Sequence, residues 1–346
     1  MNWPLLSLAR SGIVCSVGLD SASTCAAVRS GTAGFDELDV CDRGGEWIRG
    51  ARVPLSTGSH GSARQLQLLR HAALQCKSGI DSEQGPIGFL ICVAASGERV
   101  EELAIESPVL QMIEKDLGVR VAREASGVIR RGRTGIVSAL QTARAHIASR
   151  KVRQVLIAAV DSLLGKGTLT KLERSNRLLT SLCTNGFIPG EAASAVLVAG
   201  PEAVGNGPVV VRGLGIARED AHIESGKPLR AEGICAATRE ALDEAGYSLA
   251  TIDLRIADLS GEHYYFKEAS LAVSRLLRER RDSFPIWHPA DCLGEVGAAI
   301  GPLALAIAMA AVQKQYAPGD RILCHFGNDA GERGAVVLTA ARGGRP

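Results

Sequence analysis

Aromatic side chains are scarce in this sequence, with 3 Trp, 4 Tyr and 6 Phe among 346 residues. Any place where several of them gather therefore carries weight. An excess of charge of one sign is also lacking: 39 Lys and Arg face 37 Asp and Glu, for a formal net charge of +2. The densest basic run, residues 276–282 (LLRERRD), carries its own acids and reads as a solvated helix end, so no nucleic-acid partner is indicated. The nine cysteines, at 15, 25, 41, 76, 92, 183, 235, 292 and 324, form no CxxC pair. Neither they nor His60, His71, His146, His222, His288 and His325 show metal-ligand spacing, so no metal site is expected. Cys92, Cys235 and Cys324 lie in apolar runs, where a reduced cysteine packs as a small hydrophobe. An odd cysteine count without a secretion signal points to a reducing, cytoplasmic setting. The opening MNWPLLSLARSG lacks the basic region and long apolar core of a signal peptide. The most apolar segment, residues 297–312 (GAAIGPLALAIAMAAV), is too short to span a bilayer and reads as a buried helix. No dinucleotide fingerprint follows the first strand, and Gly132-Arg133-Thr134-Gly135 is not a phosphate loop, so no cofactor is expected.

What the sequence does contain is an internal repeat. A helix-like stretch at 63–76 (ARQLQLLRHAALQC) leads into the apolar run 87–95 (IGFLICVAA), and the same order returns at 231–245 and 252–260. A small-residue helix at 134–149 and a strand at 155–160 (VLIAAV) have echoes at 296–312 and 322–326. Each half then closes on a Gly-Glu turn and a strand, at 190–200 (GEAASAVLVAG) and 331–341 (GERGAVVLTAA). The offset is about 165 residues for the earlier elements and about 140 for the last pair, so the first half carries an insertion of roughly 25 residues. That insertion is residues 162–189.

Other elements fall around the repeat. Residues 11–18 read as a first strand, and 21–30 as a helix opened by an N-cap-type serine. A helix is expected at 108–116, a polar stretch at 123–133, and an irregular excursion at 31–58. The Gly/Pro stretch 200–208 is the natural join. Short, continuous apolar strands alternating with helices imply sheets covered on both faces. The expected architecture is an α/β sandwich of two similar halves, residues 1–203 and 204–346.

Particular segments carry a resemblance. Residues 12–32 (GIVCSVGLDSASTCAAVRSGT), 185–198 (NGFIPGEAASAVLV) and 291–301 (DCLGEVGAAIG) are similar to the opening strand–turn–helix, the DGFVxGEGAGxLVL segment and the GHxxGAAG helix start of the β-ketoacyl-acyl-carrier-protein synthases. With the repeat, the match spans nearly the whole chain. The resemblance implies a thiolase-like, five-layered αβαβα sandwich, a cap over the substrate tunnel at 162–189, and a dimer formed through the first half.

That family's chemistry uses a cysteine nucleophile at a helix start and two histidines that stabilise developing negative charge. Here the register from VLIAAV puts Thr134 at the cysteine position, with Arg133 or Gly132 there if a gap intervenes; no cysteine lies between Cys92 and Cys183. The first histidine position is Ser260, with His263 three residues on. The second is Gly294, and the lysine five residues before it is Pro289. Thr134 is expected to cap the following helix, with a substitute nucleophile as the competing reading; Ser138, one turn on, packs or bonds back to the backbone. His263 opens the cluster His263-Tyr264-Tyr265-Phe266, read either as pocket or partner surface or as a loop packed on the body. Cys292 and Glu295 sit beside the emptied histidine position, where a relocated thiolate is conceivable. Arg130, Arg131 and Arg133 read as a solvated face, the alternative being a site for a carrier-protein phosphopantetheine phosphate or an acidic partner.

The expectation is a ketosynthase-like protein without condensing activity that works by binding. Two such roles are open: a chain-length-factor-like partner of an active ketosynthase, and an adaptor or chaperone-like protein, for instance in type VI secretion effector loading. The alternative is an acyltransferase or 3-oxoacyl-acyl-carrier-protein synthase of fatty-acid or polyketide type that uses a substituted nucleophile. Expected partners are a second copy or a related ketosynthase, with acyl carrier protein or a protein client as further possibilities.

Overall fold

The computed structural model describes residues 4–55, 59–101, 107–200 and 207–341. Most of the join expected at 200–208 lies outside the described residues. The first half contributes strands β1 (Leu6–Val14), β4 (Gly88–Val93), β5 (Gly127–Arg130), β6 (Gln154–Ser162) and β7 (Glu191–Ala199), and a separate hairpin of β2 (Asp36–Cys41) and β3 (Trp47–Gly50). The second contributes β8 (Val209–Arg218), β9 (Leu254–Ala257), β10 (Ile286–Trp287), β11 (Arg321–Gly327) and β12 (Glu332–Ala340). The strand orders are β5-β4-β6-β7-β1 and β10-β9-β11-β12-β8, so each half places its strands in the same sequence. Directions match too: the two pairings made by β7, and those made by β12, are antiparallel, and the rest of each set is parallel. A short antiparallel ladder, Leu6–Leu8 against Val211–Val209, links the two sets into one continuous order.

Helices obey the same repeat. Helix α2 (Gly61–Leu74) answers to α6 (Glu232–Ala245), α3 (Ser107–Leu117) to α7 (His263–Leu276), and α4 (Gly135–Ala148) to α9 (Ile300–Gln313). Helix α1 (Ser21–Ser30), α5 (Lys166–Arg174) and the four-residue α8 (Ala290–Leu293) lie outside it. Strand residues alternate between two cores. Phe89, Ile91 and Val93 face outward onto Leu68 and Leu69 of α2 and Ile113 of α3, whereas Leu90 and Cys92 face inward onto α4 and α9. Ile256, Cys324 and Val336 of the second sheet join that inner core, while Leu323 and Val337 face α6. The layers are therefore helix, sheet, helix, sheet, helix. Helix α9 is the middle of the sandwich: 11 of its 14 residues are buried, and Pro302 is tolerated because a first-turn N–H has no intrahelical acceptor. Glycines let the outer helices press on the sheets. A Cβ on Gly12 of β1 would meet Ala72 O at 2.0 Å, and one on Gly215 of β8 would meet Ala237 O at 2.0 Å.

Several sequence expectations need correction. Residues 31–58 are not wholly irregular, since they contain the β2–β3 hairpin. The polar stretch 123–133 contains edge strand β5. The first strand starts at Leu6, five residues before the reading at 11. Asp20, rather than a serine, caps α1: it accepts from Ser23 N at 2.7 Å in a capping box.

Candidate functional site at the start of the two central helices

Both central helices begin the same way. Gly132 (φ 54°) and Gly297 (φ 53°) each open a three-residue 3₁₀ turn, Gly132–Thr134 and Gly297–Ala299, that runs straight into α4 or α9. The positive φ favours glycine and turns the chain sharply from strand to helix. These turns are where the resemblance places the nucleophile and, in the second half, the residues following the second histidine.

The space between them is filled by charge. Arg133 is 8% exposed. Its guanidinium donates to Glu295 Oε2 and Asp329 Oδ1, both at 3.0 Å, and to the Tyr265 hydroxyl at 2.7 Å. Asp258 Oδ2 lies 3.5 Å from its Nε, and the guanidinium sits 4.6 Å from the Tyr265 ring centroid. Every one of these partners belongs to the second half. Arg177, from the 162–189 insertion, bridges Glu262 and Asp329. Arg99 grips Asp161 through two bonds of 3.0 and 2.8 Å, and Asp161 Oδ2 also accepts from Ala298 N at 3.0 Å. A second buried pair, Arg333 with Glu268 at 2.8 Å, lies beyond Tyr264.

Burial disfavours charge on Arg133, but Tyr265 and the surrounding carboxylates outweigh it and hold the guanidinium charged. Burial likewise works against the Asp329 carboxylate, yet Arg133 and Arg177 keep it well below the usual carboxylate range. Asp258 is different: burial dominates and raises its carboxyl to about 6 despite Arg133. Burial also raises Glu268 to about 7. The result is an interlocked ion network across the seam between the halves.

The six residues singled out in the sequence do not share one place. Thr134 is fully buried and makes no capping bond; its hydroxyl is in hydrogen-bonding range of Arg131 O at 2.9 Å and Glu332 Oε1 at 2.5 Å. The expected cap is thus replaced by a carboxylate contact. Ser138 Oγ and Ser260 Oγ are buried with no hydrogen-bond partner among the described residues, so Ser138 does not bond back to the backbone. His263 is not in a loop but opens α7, with its backbone N–H bonded to Asn185 Oδ1 at 2.8 Å and its side chain exposed. Its aromatic neighbours divide: Tyr264 and Tyr265 turn in to the arginines, and Phe266 meets His288 edge-on. Cys292 is buried, its thiol raised by desolvation, the reverse of an activated thiolate. It lines a separate cleft with Cys25 and Tyr316. Glu295 alone among the six pairs with Arg133, and its Oε1 also accepts from Gly297 N at 2.8 Å.

Arg133 itself is no solvated residue, unlike Arg131, which is half exposed and pairs with Glu332 at 2.8 Å. At the second histidine position, Gly294 has φ 69°, and a Cβ there would sit 2.6 Å from Ile188 O. The backbone at that point leaves no room for a side chain. Sequence reasoning missed Asp258, Asp329, Arg177, Glu262, Arg99 and Asp161. The repeat held one usable signal: it aligns Arg133 with Ala298, a position buried in the second half.

Among the described residues, no group of His, Cys, Asp and Glu is arranged to hold a metal ion, and no helix is long and apolar enough to cross a membrane. No protein-family model matches the chain, and no curated protein matches it in sequence. Solved structures do. A ketosynthase in complex with its chain length factor from Xenorhabdus doucetiae superposes with a TM-score of 0.77 at 14% identity, covering 98% of each chain. A type II polyketide ketosynthase bound to its acyl-carrier protein and a hexaketide gives 0.81 at 17% identity, covering 98% of this chain and 100% of that one. An oxazolomycin ketosynthase domain from Streptomyces albus gives 0.80 at 14%, covering 99% and 76%. The chain therefore has the thiolase-like fold of the ketosynthases and chain length factors.

Proposed function

We propose that this chain is a ketosynthase-like protein without condensing activity, acting by binding as the chain-length-factor-like partner of a cysteine-bearing ketosynthase. The observation that carries this reading is the Arg133 network. A condensing centre needs a thiolate and two histidines converging on one acyl carbon. At the corresponding positions stand a buried threonine, a serine and a glycine, around an arginine already neutralised by Glu295, Asp258 and Asp329. Two neighbours in fold are complexes of a ketosynthase with a chain length factor or a carrier protein, which supports a partner of that kind. The short strand β5, with Val128 40% exposed, stands at the edge of the sheet, where the resemblance would seat the partner.

The test is co-expression with a cysteine-bearing ketosynthase encoded beside it. A complex of equal stoichiometry, surviving size-exclusion chromatography and disrupted by Val128→Asp on β5, supports the reading. Purification of the chain free of that ketosynthase contradicts it.

One observation favours a second reading, acyl transfer through Thr134. The Glu332 carboxylate contacts its hydroxyl and supplies the base that the absent histidines do not. Against it, Thr134 is wholly buried, and Glu332 is also engaged by Arg131.

A further inference from the structure

Away from the Arg133 network, the end of α1, strand β10, α8 and α9 enclose a cleft of 320 Å³. Its floor is apolar, made by Val28, Ile286 and Ile307 with the thiols of Cys25 and Cys292. Its wall is aromatic: Trp287 stacks on Tyr316 with ring centroids 5.9 Å apart and planes 26° from parallel. In a chain so poor in aromatics, this pair stands half-buried at a cleft rather than filling a core. Its mouth carries charge of both signs, Arg29 and the largely exposed Asp291. The Arg29 guanidinium lies 4.5 Å from the Tyr316 ring centroid, and among the described residues it makes no ion pair. His288 also lines the cleft. Its buried Nδ1 is 3.0 Å from Asp291 Oδ2 but is not aligned for a hydrogen bond.

We propose that this cleft binds a small planar anion, an aromatic or heteroaromatic carboxylate. The volume is at the lower end of small-molecule sites, which run from about 300 to 1,000 Å³. An indole wall and a branched aliphatic floor suit a flat ring. A guanidinium parked on an aromatic face, with its planar fork free, suits a carboxylate. Asp291, the carboxylate in the lining, stands 3.0 Å from His288 Nδ1, which leaves the Arg29 guanidinium over Tyr316 as the charge free to meet a ligand. Burial raises both thiols, so the floor is neutral and presents no negative charge. This site is independent of the central network and of the reading given to it.

The probe is 2-naphthoate, with 2-naphthamide as its neutral counterpart, followed by calorimetry and by tryptophan fluorescence of the full chain. The expected result is one saturable site for naphthoate. Arg29→Ala should weaken naphthoate about tenfold or more, the value of a charge-assisted bond, and leave naphthamide within about twofold. Trp287→Leu should weaken both, and Trp47→Leu, a change at an exposed tryptophan on the β2–β3 hairpin, should weaken neither. Absence of saturable binding overturns the proposal. So does naphthoate affinity unchanged by Arg29→Ala, an equal loss of both compounds in that variant, or full affinity in Trp287→Leu.

Discussion

Replacing Arg133 with Met isolates the network at the seam. The substitution keeps an unbranched apolar stem and removes the guanidinium with its charge, leaving Asp258 and Glu295 buried without this cation while Asp329 retains Arg177. Breaking a buried ion pair on one side costs about 3–5 kcal/mol, because the remaining charge stays desolvated. With an unfolding entropy of about 2.1 cal/mol/K per residue over the whole chain, that corresponds to a fall in Tm of about 4–7 °C. The deficit has a sign with pH. Without the guanidinium, the Asp258 carboxyl, already raised by burial, rises further. The variant then binds more protons folded than unfolded at mildly acidic pH, and its stability falls as pH increases. Differential scanning calorimetry at pH 5.5 and 8 reads both effects: a loss at each, larger at pH 8. A Tm within about 1 °C of the parent at both pH values would refute the reasoning, since it would mean that the carboxylates are solvated or do not face Arg133.

Other outcomes follow from the same geometry. Burial lifts Asp258 from 3.8 to about 6, so its stabilising contribution is complete below pH 3.8 and lost as pH rises through 6. The shift is worth on the order of 3 kcal/mol, and Asp258→Asn should flatten that part of the stability–pH curve in urea titrations; an unchanged slope contradicts the assignment. Gly294→Ala should cost about 1–3 kcal/mol, because the backbone there is open only to glycine and Ile188 O blocks a Cβ, and Gly294→His should restore no condensing activity. A thiol reagent added to the native protein should modify Cys41 and Cys183 quickly, and Cys15, Cys76, Cys92, Cys235 and Cys324 only after unfolding. Rapid labelling of Cys92 would contradict its burial.

The repeat was legible because it is written in buried residues. The apolar runs around β4, β6 and β9, and α9, apolar up to its last residue Gln313, have both faces covered, so their composition alone marks them. The β2–β3 hairpin was not, since Asp36–Cys41 is acidic and largely exposed, and its alternation is only two apolar residues long, Leu38 and Val40. Strand β10, two residues long, is held only by its neighbour β9. The network escaped for another reason. An arginine in a turn reads as solvated unless its partners are known, and those of Arg133 lie 125 or more residues away. The Tyr264–Tyr265 pair stands out in the sequence for its aromaticity, but its direction depends on the helical phase of α7, which a loop does not provide.

The central claim is that the seam holds no nucleophile and performs no acyl transfer. Intact-mass analysis of the folded protein after incubation with acyl- and malonyl-thioester donors tests it most directly. The account predicts an unchanged mass. A stable acyl increment that maps to Thr134 and disappears in Thr134→Ala would contradict it and establish the Thr134–Glu332 pair as a reaction centre.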